Sequence, residues 1–343
     1  MDKQLDQVIN TINKTAFATN FSGVVSIFKD SRAILHKAFG YRDIKNQLLN
    51  QTDTVFGTAS GTKLFTALGI GALIDLGELT LDTTVGDISQ EYRGFINERA
   101  TIQQLLSHTS GIFDYYDEEI DRDFDNFKTE IPWCELETPK DYWPIFKDKK
   151  MKFKPGERFS YSNGGFVFLG MIIEKISGQL YRDFISETVL KPAGMTHSGF
   201  FAGNDLPRNT AIGYLEDRCR TNIFQLPIRG AGDGGMYTTS GDLNSFWQSL
   251  FSYQIISRNL LSEYLKTQWK FDERRGYGLG IYKRLDDSMF YIVGGDAGVG
   301  FDSRYLPGQR ITVNILSNIT NGEEEIRSTI MESMDEVLKG NLR

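Results

Sequence analysis

The chain has no run of basic residues, only two cysteines and three histidines, and no apolar stretch that could cross a bilayer. Each shortage removes a class of function. A surface that tracks phosphates needs clustered Lys and Arg, yet the formal net charge is −7. Nucleic acid and anionic membranes are therefore excluded as expected partners. Cys134 and Cys219 show no paired spacing, so free thiols in a reducing compartment are expected rather than a disulfide. His36, His108 and His197 are dispersed and form no HExxH-type pattern. No metal or other cofactor is predicted. The longest nearly uncharged apolar run, LFTALGIGALI (64–74), has 11 residues, whereas a span needs about 20. It reads as a buried helix. The beginning, MDKQLDQVINTINKTAF, is interrupted by Asp2, Lys3 and Asp6 and does not read as a secretory signal. A cytoplasmic protein is expected.

What is present suits a packed globular chain. Hydrophobic residues make up 40% of 343 and aromatics 13%, ample for a large core. FSGVVSIFKDSRAILHKAFGYRD predicts two strands around a turn at Asp30-Ser31. Residues 60–76 predict a helix closed by Gly77. Gly69 and Gly71 within it imply a second backbone packed close. TIQQLLSHTSG offers a Thr101–Gln104 capping box, and residues 163–178 predict a helix ending at Gly178. GYGLGIYKRLD, SMFYIVGG, FDSRYLP and RITVNILSN read as successive strands with short links, hence an antiparallel sheet. EEEIRSTIMESMDEVLKG closes the chain as an amphipathic helix. Strands at both ends and helices between predict an α/β fold of the α+β type. One discontinuous domain would comprise 1–75 and 230–343, with a mainly helical lobe at 76–229. Within that lobe, residues 114–150 form an acidic insertion. Seven of the twelve residues from Asp114 to Asp125 are acidic, and charge patterning reads the segment as solvated, with a lid over a site as the alternative. Its Asp121, Asp123 and Asp125 do not complete a calcium loop, because Asn126 and Pro132 stand at the required Gly and Glu positions.

Three stretches carry candidate chemistry. In TASGTKLFTA, Ser60 and Lys63 are three apart at a helix start and share a face. A serine hydroxyl needs a neighbour to take its proton, and a lysine in apolar surroundings gives up its charge readily. A phosphate loop fails here, since Lys63 does not follow Gly61 directly and Leu64 replaces the magnesium-binding hydroxyl. In FKPGERFSYSNGG, Tyr161 and Asn163 alternate about Ser162 and fall on one side of an extended chain. Tyr161, near an ammonium, would ionise more easily and exchange protons. Asn163 would hold a substrate amide. In IVGGDAGVGF, glycines surround Asp296 and leave room for substrate along the backbone. The N–H of Val299, following Gly298, would join that of Ser60 as an oxyanion hole.

In this order the motifs resemble the penicillin-recognising serine hydrolases, in the branch that contains class C β-lactamases, esterases, D-aminopeptidases and D-alanyl-peptidase relatives. SGTK (60–63), LLSHTSGI (105–112), KPGERFSYSNGG (154–165), KPAGMTHSGF (191–200), GAGDGGMYTTSGDLNSF (230–246) and GYGLGI (276–281) carry the likeness. The resemblance implies an antiparallel sheet flanked by helices, an all-helical lobe and a cleft between them. It makes Ser60 the acylated nucleophile, with Lys63 and Tyr161 sharing acid and base duties. Asn163, Asp296 and Gly298 become substrate-binding residues. A small molecule or short peptide, cleaved as an ester or amide through acyl-Ser60, is the expected substrate. The alternative is an impaired homologue that binds or senses ligand. The sequence departs from the branch at Asp-Ala-Gly (296–298), where Lys or His normally opens the third motif. One ion pair at about 4 Å is worth roughly 4 kcal/mol at an effective dielectric near 20, and the reversed charge repels by a similar amount. Strong β-lactamase activity is therefore not expected. A neutral substrate, or one with a free amine, is.

Overall fold

The computed structural model describes residues 3–92, 97–146 and 149–339, and side chains from residue 7 to 332 within them. An eight-stranded antiparallel sheet organises the molecule. Its strands are β1 (Gly23–Lys29), β2 (Arg32–Phe39), β3 (Trp269–Lys270), β4 (Arg275–Tyr277), β5 (Tyr282–Arg284), β6 (Phe290–Asp296), β7 (Val299–Leu306) and β8 (Ile311–Ser317). Their spatial order is β2-β1-β8-β7-β6-β5-β4-β3. The first hairpin thus completes a sheet begun at the other end of the chain. Gly23 pairs with Ser317 and Lys29 with Ile311. Mixed helix and antiparallel sheet is the fold class the sequence implied.

Both faces of the sheet are covered, so its central strands are buried throughout, and their polar side chains are paired internally, as Arg304 is with Asp302 and Ser303 with Asn314. β7 and β8 are buried along their whole length. On one face α1 (Lys3–Ala18) and α6 (Glu324–Lys339) bury Val8, Ile12, Ala16, Ile326 and Ile330 against Val25, Val313 and Ile315. On the other face lie α2 (Thr62–Asp75), α3 (Asn163–Ser177), α4 (Ser240–Phe251) and α5 (Arg258–Leu265). α2 is buried on almost every side, as its unbroken apolar sequence requires. The expected Thr101 capping box is present. Gly178 ends α3 at φ +69°, a conformation that costs glycine nothing.

Two local expectations are corrected. GYGLGIYKRLD is not one strand. Gly280, at φ +76°, bends it into the hairpin of β4 and β5. The loop between them packs on α2, where a Cβ on Gly280 would lie 2.5 Å from that of Ala67. Gly69 and Gly71 do not receive a neighbouring backbone. They make room for side chains, Ile185 over Gly69 and Ile256 with Tyr264 over Gly71.

Trp247 joins the helical layer to the sheet. It is fully buried, stacks on Tyr305 with ring centroids 5.8 Å apart, and donates from Nε1 to Ser303 Oγ at 2.8 Å. Trp247→Ala leaves a cavity and takes away one donor to Ser303 Oγ, which keeps its bond to Asn314. It is expected to cost about 3–5 kcal/mol, read as a lowered midpoint in urea unfolding.

Candidate active site

Ser60 sits on a tight 3-10 turn, Ala59–Gly61, that leads directly into α2. Ala59 has φ +44°, a left-handed conformation that a residue with a Cβ adopts only when its surroundings enforce it. Those surroundings are visible. The Thr58 N–H donates to Met236 O at 2.8 Å and the Thr62 hydroxyl to Ala59 O at 2.7 Å. Gly294 of β6 lies across the turn. A Cβ there would stand 2.2 Å from Thr58 O and 2.9 Å from Ser60 N. The bare strand therefore touches the backbone that carries the nucleophile candidate.

Lys63 is 2% exposed. Its Nζ donates to Ser60 Oγ at 2.9 Å, to Asn163 Oδ1 at 2.7 Å and to Asp233 O at 2.7 Å. Burial lowers the pKa of the amine, while Asp233, Glu118, Asp114 and Asp296 pull the other way. The Ser60 hydroxyl is near enough to the Tyr161 phenol to act on its ionisation, and Lys63 Nζ lies 4.8 Å from the Tyr161 ring centroid. The structure thus places the phenol of Tyr161 beside the Ser60 hydroxyl and the Lys63 amine. The ease of ionising Tyr161 did not hold. Burial, with Glu118 and the phenols of Tyr282 and Tyr277 nearby, raises its pKa well above the ordinary value. It stands in the site as a neutral phenol.

Asn163 is held by the protein rather than left free for a substrate. Its amide nitrogen donates to Tyr116 O at 2.9 Å and Glu118 Oε1 at 3.3 Å, while its oxygen accepts from Lys63. It aligns the amine. His108 supports the neighbouring segment. Its Nδ1 accepts from the Ser162 N–H at 3.0 Å, so the ring proton is on Nε2 and faces the Tyr277 hydroxyl at 3.0 Å. Burial and Lys63 keep the imidazole pKa well below its usual value. Its ring packs on Tyr161 at 4.5 Å between centroids.

The strand β6 ends in a two-residue turn, closed by Asp296 opposite Val299. In such a turn the closing residues bond to each other. The Val299 N–H is therefore directed at Asp296, not at the cleft. By alternation the Gly295 N–H points to the opposite edge, which β5 leaves open beyond Tyr291. Gly298 is also displaced from the cleft. It packs against Gly213 and Asn222, and its N–H donates to Thr320 Oγ1 at 2.7 Å. Asp296 does line the cleft with Ser60 and Asp233. Burial, reinforced by Asp233 and Glu118, raises its pKa to about 7.

The acidic insertion departs from its leading reading as a solvated segment and lies where the alternative put it, beside the site. Tyr115, Tyr116, Phe124, Phe127, Trp133 and Tyr142 line the cleft. The acids fasten the segment. Asp114 accepts from the N–H groups of Asn163 and Gly164 at 2.9 and 2.8 Å. Asp125 accepts from the Thr320 hydroxyl at 2.7 Å. Lys152 pairs with Asp117 at 2.6 Å and Arg158 with Glu119 at 2.9 Å. Charge density hid the role of the aromatics interleaved with it. Asp233 was also missed. Its carboxylate accepts from the Tyr115 hydroxyl at 2.6 Å, and burial raises its pKa. The signal for it was the single charge inside GAGDGG. Among the described residues no cluster of His, Cys, Asp and Glu could hold a metal, and no helix is long and apolar enough to cross a membrane.

A family model described as Beta-lactamase matches residues 7–333. The chain belongs to the beta-lactamase family. A penicillin-binding protein from Bacillus halodurans is 32% identical with a TM-score of 0.88, over 94% of this chain and 99% of that one. Penicillin-binding protein 4* of Bacillus subtilis is 29% identical over 93% of this chain and 73% of its own length. The octameric penicillin-binding protein homologue of Pyrococcus abyssi is 28% identical with a TM-score of 0.82, over 99% of this chain and 78% of that one. The family assignment makes the protein a serine hydrolase that works through an acyl-enzyme.

A side chain at Gly294 must displace the nucleophile turn. Gly294→Val is expected to lower the rate of active-site acylation at least 100-fold. Far-ultraviolet circular dichroism should show the fold retained, with stability reduced by about 1–3 kcal/mol.

Proposed function

We propose that the protein cleaves a neutral or amine-bearing ester or amide, with Ser60 as nucleophile, Lys63 as its general base and Tyr161 as the proton carrier to the leaving group. The observation that carries this reading is the buried Lys63 amine, 2.9 Å from Ser60 Oγ. The lowered pKa of Lys63 supports a base role, and the raised pKa of Tyr161 supports a donor role. Ser60 Oγ attacks the substrate carbonyl and its proton passes to Lys63. The developing oxyanion lies between the N–H groups of Ser60 and Gly295, in place of Val299. Tyr161 donates a proton to the departing alcohol or amine and is reprotonated from Lys63. Water then attacks the ester carbonyl of acyl-Ser60 and restores the hydroxyl. The open edge of β6 offers backbone groups to an extended substrate.

Charge in the cleft supports the substrate preference. Asp296, Asp233 and Glu118 line it together. A substrate carboxylate would be repelled, whereas an ammonium would draw Asp296 into its ionised form. An amino-acid amide or a short peptide with a free amine fits this balance, and a neutral ester is tolerated.

A fluorophosphonate probe should label Ser60, as read by peptide mass mapping. Unchanged labelling in Ser60→Ala would overturn the assignment. Acylation of the wild type should rise with pH through a value below the ordinary lysine pKa, and Lys63→Ala should lose that limb. Asp296 is ionised only above about pH 7. The KM for a D-amino-acid p-nitroanilide should therefore fall as pH rises through 7, while that for a neutral p-nitrophenyl ester stays flat. Asp296→Asn should remove the difference. Asp296→His should gain nitrocefin turnover, and an unchanged substrate preference in that variant would refute the charge argument.

A further inference from the structure

Acylation and hydrolysis at Ser60 leave the aromatic wall of the cleft without a task. Four of its rings form one connected face. Tyr116 touches Phe124 and Phe127, with ring centroids 5.7 and 4.2 Å apart, and Phe127 touches Trp133 at 6.0 Å. The ring planes meet at 44°, 62° and 55°, so the face is folded rather than flat. Tyr116 is buried, whereas Phe124, Phe127 and Trp133 are half-buried, and all four border the cleft. The wall also reaches the strand beside the nucleophile turn. A Cβ on Gly295 would lie 3.3 Å from the Phe124 ring, and Asp296 is the next residue along β6.

The charged groups on the lining of this cleft are all acidic. Glu118, Asp233 and Asp296 border it, and no Lys, Arg or His stands among its described lining residues. The Lys63 amine is buried among its three acceptors. Each of the three carboxyl groups already has a donor. Asp233 accepts from the Tyr115 hydroxyl at 2.6 Å, Asp296 from the Ala297 N–H at 2.8 Å and Glu118 from the Asn163 amide nitrogen at 3.3 Å. They attract a cation, yet they offer a reduced set of acceptors to any N–H it brings. The Phe and Trp rings offer no strong acceptor at all.

We propose that the wall is a cation-binding face and that the substrate's ammonium is quaternary, with methyl groups in place of N–H. Aromatic faces attract a cation through the ring quadrupole, and several rings inclined to one another suit a methylated ammonium. Such a group has no donor to satisfy when it leaves water. A primary ammonium set against the same rings would leave donors unpaired. Phe127 and Trp133 then determine specificity, and Asp296 supplies the opposing charge beside them. As a substrate class this rests on the hydrolase reading, whereas capture of the cation needs no chemistry at Ser60.

Isothermal titration of the wild type with three alcohols tests it. Choline carries the quaternary cation, 3,3-dimethylbutan-1-ol replaces its nitrogen by carbon, and ethanolamine carries a primary ammonium. Choline should bind at least ten-fold more tightly than the neutral alcohol and at least five-fold more tightly than ethanolamine. Phe127→Leu and Trp133→Leu should each weaken choline at least five-fold and change the neutral alcohol less than two-fold. Phe127→Tyr, which keeps the ring face, should bind choline as the wild type does. As substrates, butyrylthiocholine should exceed S-(3,3-dimethylbutyl) thiobutyrate at least ten-fold in kcat/KM. Equal affinity for choline and its neutral counterpart, ethanolamine binding as tightly as choline, choline affinity unmoved in both leucine variants, or equal kcat/KM for the two esters would each overturn the proposal. Fluorophosphonate labelling of Ser60 reports on the hydrolase reading separately. Selective choline binding by a protein that takes no label would sink that reading and uphold the cation face.

Discussion

One buried amine organises the cleft. Removing the Lys63 ammonium from water is costly unless other groups replace the lost hydrogen bonds. Three acceptors do so, Ser60 Oγ, Asn163 Oδ1 and Asp233 O. They come from the start of α2, the start of α3 and the glycine loop before α4. The amine therefore fixes three distant segments at one point. The same burial that makes it expensive makes it a willing proton acceptor. Structural demand and chemical use fall on one atom.

The remainder of the site is built to hold those segments still. His108 grips the Ser162 N–H, and Asp114 caps the helix that begins with Asn163. Ala59 keeps its unfavourable backbone angle because Met236, Thr62 and Gly294 enclose the turn. Positioning of this kind lets a hydroxyl, an amine and a phenol act without first searching for one another.

Much of this was legible in the sequence, and the failures have physical reasons. Ser60 and Lys63 were readable because an i, i+3 spacing at a helix start fixes geometry locally. The alternation of Tyr161 and Asn163 was readable for the same reason. What a distant segment does to a residue was not. The burial that raises the Tyr161 pKa, and the nearby Glu118, Tyr282 and Tyr277 that add to it, come from segments remote in sequence. The turn after Asp296 sets which N–H faces the cleft, so Val299 was misassigned by its place in a motif. The acids of 114–125 suggested solvent, yet they are fasteners and the aromatics among them form the wall. The sheet itself was the simplest part to anticipate, because runs such as RITVNILSN have no plausible home except a buried strand.

The double fastening of that aromatic wall has a consequence for the cleft. Asp114 moors one end on the helical side and Asp125 moors a later point on the sheet side, leaving a span anchored at two banks. Breaking either contact would free one bank of the wall while the other still tethered it, so the shape of the cleft rests on both.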